Sequence, residues 1–86
     1  RSNRGFPDIA IYEPRNGYNG LFIELKAEGT DIICKRATDN YGCPKYISDH
    51  VREQADCLTE LRLRGYAASF AIGFDEAKKL IDNYLK

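Results

Sequence analysis

Two short apolar stretches, Ile9 to Tyr12 and Leu21 to Lys26, flank the segment PRNGYNG at residues 14–20. Proline, asparagine and glycine at that density mark a turn. The chain therefore doubles back there, and the two stretches are expected to pair as an antiparallel hairpin. Side chains in a strand alternate between faces. Leu21, Ile23 and Leu25 share one face, fit to pack on a helix, while Phe22, Glu24 and Lys26 share the other. In the first strand Ile9 and Ile11 go one way, and Asp8, Ala10 and Tyr12 the other. Directly opposed residues of an antiparallel pair point to the same face. A register that sets Tyr12 opposite Gly20 sets Asp8 opposite Glu24.

Beyond the hairpin, AEGTDIICKRATDNYGCPKYI (27–47) has no clean period and reads as an irregular excursion with a short apolar piece at Ile32 and Ile33. The segment SDHVREQADCLTELRLRG that follows reads as a helix. Ser48 or Asp49 caps it, Val51, Ala55, Leu58 and Leu61 or Arg62 recur at helical spacing, and Gly65 stops it. YAASFAIG, residues 66–73, reads as a buried strand. Asp75 is the expected cap of a last helix, whose apolar face is Ala77, Leu80, Ile81, Tyr84 and Leu85. Strand, helix and strand in succession point to a crossover onto a mixed sheet. The expected class is α/β.

The 86 residues make a single small domain, 1–86. A chain this short buries only about 60% of its unfolded surface, so core supplied by a partner would add stability. Lys and Arg balance Asp and Glu at 13 each, so a polyanion partner has to be met by a local patch rather than by bulk charge. No apolar run approaches the roughly 20 residues of a membrane span, and no signal-peptide pattern opens the sequence. Cys34, Cys43 and Cys57 are an odd number at no standard spacing, which points to a reduced, cytoplasmic setting. Zinc prefers close cysteine pairs, and with His50 these residues are too widely spaced, so idle or buried thiols are expected. His50 itself reads as a surface residue near a helix start, although a general base there is conceivable. Arg1 stands where a methionine would, almost directly before a functional-looking loop, so the natural N-terminus is expected upstream.

The acids of the hairpin need a reason. Opposed carboxylates with Cβ atoms about 5 Å apart destabilise a sheet. A divalent cation between Asp8 and Glu24 relieves the repulsion, and magnesium-like ions often use only one or two carboxylates plus water and substrate phosphate. Lys26 then projects beside the metal and its water. Such a metal is a Lewis acid toward a phosphoryl oxygen and lowers the pKa of bound water, while Lys26 orients that water or stabilises developing charge. The chemistry implied is metal-assisted phosphodiester hydrolysis. An exposed strand edge kept soluble by Glu24 and Lys26 accounts for the same residues without chemistry.

GFPD, FIELK and HVREQADCLTELRLRGY, taken in order, resemble the VRR-NUC (virus-type replication-repair nuclease) family of the PD-(D/E)xK restriction-endonuclease-like superfamily. The likeness extends over the closing GYAASFAIGFDEAKKLIDNYL. It implies a mixed sheet flanked by helices, with the family's N-terminal helix, its further glutamate and the strand after it lying outside this sequence. It implies Asp8, Glu24 and the backbone carbonyl of Leu25 as ligands of magnesium or manganese, Lys26 as the catalytic lysine, and Gln54 orienting Lys26, water or substrate. Glu28 or Asp31 could replace the missing acid, and spacing favours neither. The activity implied is a DNA nuclease for branched substrates such as four-way junctions, acting as a viral or bacterial homodimer in replication or repair. A non-catalytic DNA-binding module with an incomplete metal site is the alternative, and a structural domain with an incidental acid pair is a third.

The excursion carries Lys35, Arg36 and Lys45, and Arg52 follows on the helix. These fit a phosphate-contacting surface, with Tyr41 and Tyr46 stacking on unpaired bases; a solvated loop fits them equally. Arg1 and Arg4 precede the active-site loop and could contact phosphate, or form a frayed end. Tyr66, Tyr84, Phe70 and Phe74 are expected in core or interface.

Overall fold

A computed structural model describes residues 5–38 and 44–86, with the backbone alone for 35–38 and 44. The hairpin forms as the turn requires. Asn16 and Gly17 both have positive φ, 56° and 85°, the condition for the tight turn that matches strand twist. Arg15 and Tyr18 close it with reciprocal backbone hydrogen bonds of 3.1 and 2.8 Å. Strand β1 (Ile9–Ile11) runs antiparallel to β2 (Leu21–Lys26), with Ile9 opposite Ile23 and Ile11 opposite Leu21. Extended one residue each way, this is the expected register: Tyr12 faces Gly20 and Asp8 faces Glu24.

After β2 the chain passes through β3 (Ile33–Thr38) and β4 (Pro44–Tyr46), then α1 (Asp49–Leu63), β5 (Ala67–Ile72) and α2 (Phe74–Leu85). β5 lies parallel to β2, from Leu21 opposite Ala67 to Lys26 opposite Ile72. Among the described residues the main sheet has the order β1-β2-β5. It is mixed, and the helix α1 makes the crossover.

β2 is the central strand and is covered on both faces. Leu21 and Ile23 pack with Ala71 against Ala77 and Tyr84 of α2, with Ile9, Ile11, Leu80 and Ile81 around them. Phe22 and Ala68 pack on Leu58 of α1, with Ala10, Leu61, Tyr66 and Phe70 around them. Leu25, expected on the helix-facing side, is exposed and borders the cleft lined by Gly73 and Phe74 at the start of α2.

Polar groups finish the ends. Ser48 Oγ accepts from the Val51 N–H and caps α1. The last carbonyls of α2 are met by the hairpin turn: Arg15 Nη1 donates to Leu85 O at 2.6 Å, and Asn16 Nδ2 to Tyr84 O at 3.1 Å. The Tyr84 hydroxyl donates back to Glu13 O at 2.6 Å. On the outer edge of β5, Arg62 donates to Ala68 O, Ser69 Oγ to Phe70 O, and the Ile72 N–H donates to Glu76 Oε1. Side chains thus occupy edge positions open to another strand.

Three expectations need correction. The stretch 27–47 is not wholly irregular, since β3 and β4 form an antiparallel pair whose register slips between Cys34 and Thr38. Ile33 and its partner Tyr46 are both exposed, so burial imposes no period of two at that pair. The second concerns Asp75, which does not cap α2. Gly73 takes that position at φ 89°, and Asp75 sits in the first turn. The third is that Leu85 is exposed rather than packed, and Phe74, expected in core or interface, is not in the core.

Candidate metal centre

The loop before β1 is fixed by close approach. Gly5 is buried at φ +80°, and a Cβ there would lie 2.9 Å from the Glu53 carbonyl oxygen of α1. Phe6 meets Phe22 edge-on at 5.5 Å, and Pro7 is buried. These contacts deliver Asp8 to the end of β1. Its Oδ2 accepts the Leu25 N–H at 3.0 Å, taking the place of a strand partner. In extended backbone a residue's N–H and C=O leave on the same side, so the Leu25 carbonyl also opens toward Asp8. The Lys26 carbonyl points the other way and accepts from Gly73 N.

Glu24 lies on the same face as Asp8, beneath α1, and is only 5% exposed. Its Oε1 is buried with no hydrogen-bond partner among the described residues. The carboxyl pKa is raised from 4.5 to about 7, first by burial, then by the hydrogen bond and charge of Asp8; Lys26 pulls it down. A buried carboxylate with an idle oxygen beside a second carboxylate is poorly satisfied as it stands. The donor set of two carboxylates and a backbone carbonyl suits a hard divalent ion that keeps several waters. Burial of Glu24 also argues against a merely solubilising strand edge.

Lys26 projects from the same face and its Nζ donates to Gln54 Oε1 at 2.5 Å. Gln54 is as buried as Glu24. A buried glutamine on the inner stripe of α1, with Val51, Ala55 and Leu58, is an expensive choice unless its amide is used. The structure thus brings Asp8, Glu24, Leu25, Lys26 and Gln54 together at one end of the sheet.

Other candidates are not gathered there. Arg52 is exposed, and two residues from Gln54 places it about 200° around the helix. Lys45 is exposed on β4. Arg1, Arg4, Tyr41 and Cys43 lie outside the described residues, as do the side chains of Lys35 and Arg36. His50 is exposed in the first turn of α1. Cys34 and Cys57 are free and half-buried. The Cys57 thiol is pushed up by burial, then by Glu24 and Glu60, which leaves it a poor nucleophile. Among the described residues no group of three or more His, Cys, Asp or Glu side chains is placed to hold a metal, and Glu28 and Asp31 do not complete one. No helix among them is long and apolar enough to cross a membrane.

Sequence reasoning missed Gly5 and the exposure of Phe74. Gly-Phe-Pro-Asp carries a signal for the first, since a glycine three residues before a functional acid commonly marks a close backbone approach. Phe74 had none, because an aromatic at a strand-helix junction fits core and surface alike.

The chain is similar to a solved structure described as a VRR_NUC domain protein. The TM-score is 0.69 and the identity 28% over 98% of this chain. The match covers 55% of the other chain, so this sequence spans about half of that protein's length. No protein-family profile matches the chain, and no curated protein does. The architecture is a mixed sheet flanked by helices, matching a VRR-NUC-like fold.

Proposed function

We propose that the chain is a magnesium- or manganese-dependent deoxyribonuclease of PD-(D/E)xK type, hydrolysing phosphodiester bonds of branched DNA. The observation that carries this reading is the buried Glu24 carboxyl, with Oε1 unpartnered among the described residues, packed beside Asp8 and next to a lysine whose amino group is pinned.

Asp8, Glu24 and the Leu25 carbonyl would hold the ion. When bound, it supplies Lewis acidity toward a phosphoryl oxygen and a more acidic water. The remaining work belongs to the chain. Gln54 holds Lys26 Nζ by its amide oxygen, which leaves the other amino hydrogens for water or a non-bridging phosphate oxygen. Lys26 there stabilises negative charge as the phosphorane forms. Glu24 and Gln54 are buried under α1 while Asp8 and Leu25 are exposed, which leaves the site open to substrate on the Asp8 side.

Calorimetric titration with manganese tests the ion site: binding is expected in the wild type and lost in Asp8→Ala. A cleavage assay on a labelled four-way junction, with linear duplex and single strand alongside, tests the chemistry. Metal-dependent nicking is expected, and Lys26→Ala should slow it at least ~100-fold without loss of manganese binding. Manganese binding and DNA binding without cleavage would support the non-catalytic alternative. The observation favouring that alternative is that only two acid side chains converge among the described residues.

A further inference from the structure

Where β2 and β5 end, at Lys26 and Ile72, a cleft of about 460 Å³ opens beside the candidate metal centre. It is shallow and largely open to solvent, and parallel strands of an open α/β sheet place ligands beyond their carboxyl ends. Leu25, Lys26, Ala27, Glu28, Gly73 and Phe74 line it. Phe74, the first residue of α2, is 73% exposed. Its neighbours in the helix gain nothing from it, since the buried side chains of α2 are Ala77 and Tyr84.

We propose that this cleft takes an unpaired nucleobase next to the scissile phosphate, stacked on the Phe74 ring. The proposal rests on the DNA-cleaving reading of the adjacent site and adds a subsite to it. Two observations select a base over a phosphate or an acidic group. Lys26, the residue placed against the reacting phosphate in the proposed reaction, lines the same cleft as Phe74, so a base next to that phosphate is the group offered to the ring. The cleft is otherwise walled by Glu28, which packs over Gly73, with Asp75 and Glu76 in the adjoining first turn. Three carboxylates repel a phosphate, whereas a base presents an uncharged face to the ring and exocyclic amino groups to the carboxylate of Glu28. Apolar Leu25 and Ala27 complete the floor. A paired base cannot enter without leaving its stack, so the subsite favours single-stranded or junction DNA over duplex.

The sequence contains no tryptophan, so Phe74→Trp introduces a single reporter. It is made in the Lys26→Ala background with manganese present, which keeps the DNA intact. Indole emission is read together with the anisotropy of a labelled single-stranded oligonucleotide, and of a paired duplex. The expected result is quenching at the same midpoint as the anisotropy change for single strand, with little quenching by duplex. In the same background Phe74→Ala and Phe74→Leu should weaken single-strand binding about tenfold and Phe74→Tyr should restore it. Calorimetric manganese affinity should not move in any of them. Binding by anisotropy without quenching, or Phe74→Ala binding as tightly as Phe74, overturns the base subsite and leaves the nuclease reading intact. No binding of any DNA by any variant overturns both.

Discussion

Glu24 concentrates the chemistry of this chain in one side chain. Its folded pKa of about 7 exceeds the ordinary 4.5 because it is buried beside Asp8, so the folded chain holds that proton more tightly than the unfolded chain does. The stability from this proton is complete below about pH 4.5 and is lost as pH rises through about 7, a difference of order 3 kcal/mol. The melting midpoint in EDTA should therefore fall between pH 5 and pH 8. Glu24→Gln should flatten that fall, and manganese at pH 8 should raise the wild-type midpoint but not the variant's. A wild-type midpoint constant across this range would contradict the assignment. Gln54 is tested by Gln54→Met, which keeps the volume and removes the acceptor of Lys26 Nζ. Cleavage should drop roughly 10–100-fold with manganese affinity retained. At this scale the sequence was a good guide to position and a poor one to environment. Asn16-Gly17 and the period of two place Asp8 opposite Glu24. That Glu24 is buried depends on α1, which begins 25 residues later and whose cover no local pattern announces.

Among the elements, the loop at Gly5 decides where Asp8 stands. Gly5→Ala adds a Cβ 2.9 Å from the Glu53 carbonyl oxygen at a positive φ. The backbone of α1 cannot yield, so the loop must lift. The variant should lose about 1–3 kcal/mol in urea unfolding and bind manganese more weakly, although no ligand has been altered. Ser48→Ala, which removes only the α1 cap, should lose about 1 kcal/mol and keep its manganese affinity. The contrast separates loop placement from general destabilisation. α1 and β5 were legible because Ser48, Gly65 and the apolar spacing agree. The start of α2 was not, because Asp75 has the better capping propensity, while the positive φ at Gly73 and the Glu28 side chain packed on it put the helix start two residues earlier. β3 and β4 were not legible because Ile33 and Tyr46, the apolar pair between them, are exposed and impose no alternation to read.

In the molecule as a whole a three-stranded sheet lies between two helices, and its central strand carries Glu24, Leu25 and Lys26 of the site. A domain of this size gains from shared core, and on that ground we propose a homodimer. Sedimentation velocity should then show a dimer, and the melting midpoint should rise with protein concentration; a concentration-independent midpoint with a monomer's sedimentation would reject it. With its side chains occupying much of the outer edge of β5, pairing through that edge is disfavoured, so a dimer should form elsewhere. The hairpin turn is also tied to the end of α2. Glu13 is held by Tyr84, and Arg15 and Asn16 by the last carbonyls of α2, some 70 residues away. A ribosome adding about 5–20 residues per second therefore makes the hairpin turn several seconds before the helix end that holds it. Closure of the hairpin onto α2 waits on the synthesis of Tyr84 and Leu85.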